Sequence, residues 1–102
     1  MDKTKEFKIM TIRKATLIMF ERYLNEFDIE DTNITNLINV GIENIDNLPI
    51  DKLSRWLGYI QGYLIFNNKT TVDIERNISR KYFHEAYENE NINIPKSIQV
   101  YK

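Results

Sequence analysis

Three cations follow one another at four-residue steps in the second half of the chain: Arg76, Arg80 and His84. On a helix this spacing stacks the side chains along one edge. Two guanidiniums and an imidazole so placed suit a phosphate or a carboxylate, because arginine presents paired donors in a planar fork. Earlier, the run RWLGYIQG over residues 55–62 carries Gly58 and Gly62. Glycine inside a helix costs about 0.5–1 kcal/mol relative to alanine, so a pair of them asks for a packing or functional reason. With Ser54 they form a small-residue column that predicts the close approach of another backbone or of a ligand. Gln61 lies beside the column and brings both a donor and an acceptor. Joined together, these residues predict a pocket with the glycine column as floor and Trp56 or Tyr59 as stacking wall. Gln61 would contact a base or ribose, Arg76 and Arg80 would anchor phosphate, and Arg55 and His84 complete the ligand-binding set. The competing structural explanation packs the column against the first helix and leaves Arg80 and His84 on a solvated stripe paired with Glu88.

Catalysis is poorly supplied. His84 is the only histidine and there is no cysteine, so neither a thiolate nucleophile nor a histidine or cysteine metal site is expected. The acidic group Asp28, Glu30 and Asp31 reads as a solvated turn with capping duties, and the three glycines fall on helices rather than in a phosphate-cradling loop. A non-enzymatic protein without a cofactor is expected.

These residues must be positioned by a small scaffold. A length of 102 residues supplies one core and predicts a single domain over 1–102. With 42% hydrophobic residues and a net charge of −1, the composition is that of a folded domain and argues against a nucleic-acid-coating role. No stretch reaches the roughly 18 apolar residues of a membrane span, and the start MDKTKEFKIM lacks the apolar run of a leader, so a cytoplasmic location is expected. The abundance of isoleucine, asparagine and lysine points to an AT-rich genome, which is a codon bias and not a function.

Apolar periodicity predicts an all-α bundle of about four helices. Ile9, Ile12, Leu17, Phe20, Leu24 and Phe27 mark a first helix over 7–27. Asp31, Thr32 and Asn33 are candidate N-caps for a second over 33–46, with Ile34, Leu37, Ile38, Ile42 and Ile45 as its stripe. Pro49 fits the first turn of a third over 49–66, and Thr70 with Asp73 resembles a capping box for a fourth over 71–88. On the fourth, Arg76 falls within the apolar arc. The tail 89–102, with Ile92, Ile94, Ile98 and Val100 in alternation, predicts an extended C-terminal arm and, with the apolar third helix, a homo-oligomer.

The run RWLGYIQGYLI, followed by TVDIERNISR, resembles small helical proteins carried by tailed phages and prophages. The shared pattern is Arg55, Trp56, Gly58, Gln61, Gly62, Thr71, Arg76 and Arg80, and it covers residues 48–88 only. The resemblance brings no activity with it. It implies a context, that of short phage proteins acting on host defence or regulation in the host cytoplasm.

Three functions compete. Sequestration of a phosphate-bearing nucleotide without chemistry uses the glycine column, Gln61 and the arginines together. Inhibition of a host protein would instead use Tyr59, Tyr63 and Phe66 beside Lys52 and Arg55 as a hot-spot surface. A helix-turn-helix regulator ranks third, because Asp73 and Glu75 at the head of the fourth helix would repel DNA phosphates.

Overall fold

A computed structural model describes residues 9–91 of the chain. These form four helices: α1 (Ile12–Glu26), α2 (Thr32–Glu43), α3 (Ile50–Phe66) and α4 (Val72–Asn89). The all-α class and the order of elements agree with the periodicity. The extended arm expected over 89–102 does not begin at 89, since α4 runs to Asn89 and Glu90 and Asn91 form a turn, and 92–102 lie outside the described residues.

The helix boundaries follow from capping chemistry. Helix α1 begins later than the expected residue 7, because the Thr11 side chain accepts from the Lys14 N–H and starts the helix at Ile12. A second cap comes from the far end of the chain, where the Glu90 carboxylate accepts the Ile12 N–H at 2.6 Å and Asn89 donates to the Met10 carbonyl at 3.0 Å. An anion at a helix N-terminus is favoured by the unpaired N–H groups there, so the end of α4 is tied to the start of α1. Asp31 caps α2 through the Asn33 N–H. That helix stops at Glu43 rather than 46, and the turn beyond it is held by Arg13, which donates to the carbonyls of Ile45 at 2.8 Å and Leu48 at 2.6 Å. Thr71, not Thr70, caps α4, accepting from the Ile74 N–H. The link between α3 and α4 contains no glycine because Asn68 takes the left-handed conformation at φ 62°, a position asparagine tolerates.

The core joins Met19, Phe20 and Tyr23 of α1 to Ile34 and Ile38 of α2 and to Leu53, Leu57, Ile60 and Leu64 of α3. Gly41 supplies the close approach in this core. A Cβ there would stand 2.6 Å from Cε2 of Phe20, so the phenyl ring of α1 lies directly on the backbone of α2. Helix α4 joins differently. It buries little beyond Glu75 and Ala86, and it packs closely on α1 but not on α3.

Candidate functional site

Because α4 leans on α1, an open cleft of about 320 Å³ remains between α3 and α4. Helix α3 contributes Ser54, Leu57, Gly58 and Gln61 to it, and α4 contributes Ser79, Arg80, Phe83, His84 and Tyr87. The small residues explain the width: Ser54 and Gly58 put almost no side chain into the space, so the α3 wall is largely bare backbone there. One hydrogen bond crosses the gap, from Gln61 Nε2 to Ser79 Oγ at 3.2 Å. Beyond that bridge a second hollow of about 260 Å³ continues, bounded by Ile65, Val72, Glu75 and Arg76.

One guanidinium, one imidazole and two aromatic rings face the cleft. Arg80 and His84 are exposed and make no ion pair or hydrogen bond among the described residues, so the expected pairing with Glu88 does not form. Among the described residues no carboxylate lines the main cleft. Phe83 and Tyr87 meet edge to face, with ring centroids 6.5 Å apart, and offer flat apolar surface beside Arg80 and His84. The lining thus sets two flat apolar rings beside one guanidinium fork and the hydroxyls of Ser54 and Ser79. Among the described residues no cluster of histidine, cysteine and carboxylate is placed to hold a metal ion.

Of the residues singled out in the sequence, Gly58, Gln61, Arg80 and His84 come together in the cleft, and Arg76 borders the adjoining hollow. The others stand elsewhere. Trp56 packs against the core with the Lys52 ammonium 5.7 Å from its ring, and Tyr59 projects outward, 64% exposed. Arg55 is exposed and pairs with Asp51 one turn earlier at 3.0 Å. Gly62 also faces outward. The close approach expected at Gly58 and Gly62 is not made among the described residues, since an added Cβ at either would meet nothing within 4 Å. Their pairing reads as helix packing only when the neighbouring helix is near, and here α4 stands off. The aromatic surface in the cleft is instead that of Phe83 and Tyr87, which also pack against the core and whose aromatic character reads equally well as core.

Arg76 is likewise not buried. Its side chain is 47% exposed and lies 3.8 Å from the Asp73 carboxylate. The buried charge on α4 is its neighbour Glu75, only 3% exposed. Arg22 Nη1 donates to Glu75 Oε1 at 3.0 Å, the Tyr23 hydroxyl donates to the same oxygen at 2.7 Å, and the Thr70 hydroxyl donates to Oε2 at 2.7 Å. Burial opposes the charge of Glu75, but the hydrogen bonds from Arg22, Thr70 and Tyr23 outweigh it and hold the carboxyl below its ordinary range. Burial pushes the Tyr23 phenol well up, and Glu75 beside it acts in the same direction. Burial alone would lower the Arg22 guanidinium, but the bond and the charge of Glu75 raise it, and its plane also faces the rings of Tyr23 and Phe27. Every buried polar side-chain atom among the described residues has a partner. The cluster is therefore a clamp that sets α4 against α1, and through that placement it sets the width of the cleft.

Comparison of the chain with protein-family models, with curated proteins and with solved structures finds no match.

Proposed function

We propose that the protein binds a phosphate-bearing small molecule of the nucleotide class in the α3–α4 cleft and holds it without converting it. The observation that carries this reading is the pair Arg80 and His84 beside two aromatic rings, with no ion-pair partner and no carboxylate in the cleft lining among the described residues. Phosphate oxygens would meet the Arg80 fork and the His84 ring, and a base would lie against Phe83 and Tyr87 over the bare backbone at Gly58. Gln61 keeps its bond to Ser79 and limits the depth to which a ligand enters. Holding without reaction is supported by His84, the sole histidine, which activates no hydroxyl among the described residues. The biological setting is the one the sequence resemblance implies, a phage protein that removes a host nucleotide signal from solution in the host cytoplasm.

Charge-assisted contacts are worth about 1.5–3 kcal/mol each, so Arg80→Ala should weaken binding roughly tenfold to a hundredfold. The test is a thermal-shift panel of linear and cyclic nucleotides on the full chain and on Arg80→Ala, with inorganic phosphate as control. A nucleotide-dependent rise in Tm that Arg80→Ala abolishes supports the proposal, and an unmoved Tm across the panel refutes it.

A second reading, inhibition of a host protein, is favoured by the outward face of α3, where Phe66 is 85% exposed. Native mass spectrometry of protein purified from infected cells separates the two, since one predicts a retained small molecule and the other a retained protein.

A further inference from the structure

The face of α3 turned away from both the core and the cleft has no partner among the described residues. Along it run Arg55, Tyr59, Gly62 and Phe66, followed by Lys69 just past the helix end, at alternating steps of four and three. This is the spacing of a helix seam, which keeps one stripe facing a second helix. Large and small alternate on it. Tyr59 and Phe66 are 64% and 85% exposed, whereas Gly62 between them presents open backbone with nothing within 4 Å of an added Cβ.

We propose that this face binds a second copy of the chain, α3 against α3 in antiparallel register about a two-fold axis between Ile60 and Gln61. Read in reverse, the stripe complements itself. Tyr59 then lies over Gly62 of the second copy, and its own Gly62 receives the other Tyr59. Arg55 comes over the ring of Phe66 of the second copy, a cation on an aromatic face. At the ends Asp51 comes within reach of Lys69 of the second copy, whose ammonium has no partner among the described residues. Lys52 stays over its own Trp56 ring and clear of that contact. A parallel pair would instead set Arg55 against Arg55 and ring against ring.

The area fits a stable dimer. An aromatic side chain buries about 150–250 Å², so at these exposures Tyr59 and Phe66 offer roughly 300 Å² per copy and twice that across the two-fold axis. This is about half of the ~1,200 Å² at which specific interfaces begin, and the exposed Asp51, Arg55 and Lys69 of each copy flank the rings along the same stripe. The exposed Gly62, which does nothing for the isolated chain, becomes the socket of a symmetric contact.

The test is sedimentation equilibrium of the full chain over a micromolar-to-millimolar range, with Phe66→Glu and Gly62→Leu alongside. Both substitutions fall on exposed positions, so circular dichroism should report unchanged helix content in each. The proposal expects twice the 12.2 kDa of one chain for the wild type and a single-chain mass for both variants. A single-chain mass at every concentration overturns it, as does a dimer that survives both substitutions, which would place the interface elsewhere.

Discussion

Replacing Glu75 is the most exacting test of how the cleft is held open. The carboxylate accepts from three donors, and its side chain and that of Arg22 are only 4% and 12% exposed, so solvent does little to soften the loss of either. Glu75→Gln keeps the shape. An amide oxygen in place of Oε1 still accepts from Arg22 and Tyr23, and its NH₂ can donate to a reoriented Thr70 hydroxyl, so what is lost is charge, worth about 1.5–3 kcal/mol. Glu75→Leu leaves Arg22 with only the exposed Glu26 at 3.2 Å and strands two hydroxyls. Removing one partner of a buried ion pair costs about 3–5 kcal/mol, a large part of the ~5–15 kcal/mol that hold a domain together. For a chain of this size that is a fall in Tm of roughly 12 °C or more, with glutamine between leucine and the wild type. Urea denaturation followed by helical circular dichroism reads the order directly. A Glu75→Leu variant at least as stable as the wild type, with the same slope against urea, would refute the clamp.

Two further outcomes follow from named contacts. Gly41→Ala should cost about 1–3 kcal/mol, because its Cβ would meet the Phe20 ring, whereas Gly58→Ala should add about 0.5–1 kcal/mol of helix propensity in open space; chemical denaturation of the two variants checks the opposite signs. The native carboxyl of Glu75 titrates below its unfolded value, so its contribution is fully present above about pH 4.3 and is lost as pH falls through the lower native value. Urea midpoints measured from neutral pH downward should therefore drop more steeply below that point in the wild type than in Glu75→Gln.

The helices were legible because local signals set them: apolar periodicity for the bodies, Asp31 among the candidate caps for the start of α2, and Pro49 for the start of α3. Boundaries shifted where a distant residue took part, as when Glu90 capped α1 or Arg13 held the turn after α2. Tyr23 was hidden for a similar reason. Helix α1 is apolar over much of its circumference, so Leu17 and Leu24 marked the stripe as plausibly as Met19 and Tyr23, which are the fully buried ones. The Glu75 clamp joins residues more than fifty positions apart, and periodicity carries no information on such pairings. Within the site, the cationic stripe and Gln61 were readable from spacing alone. Which arginine faced the cleft was not, because Arg76 and Arg80 differ by only about 40° around the helix and the docking angle of α4 decides between them. A helical glycine announces bare backbone but not what stands opposite, and so Gly41 contacts a ring while Gly58 borders empty space.

The central claim, that the α3–α4 cleft receives a nucleotide through Arg80 and His84, is tested most directly by titrating isotope-labelled protein with the nucleotide panel and following its NMR spectrum. Binding in the cleft gives saturable shifts at Gly58, Ser79, Arg80, His84 and Tyr87, with the Arg55 and Tyr59 side of α3 unmoved and with no response in Arg80→Ala. Shifts confined to Tyr59, Tyr63 and Phe66, or none across the panel at millimolar ligand, would contradict it.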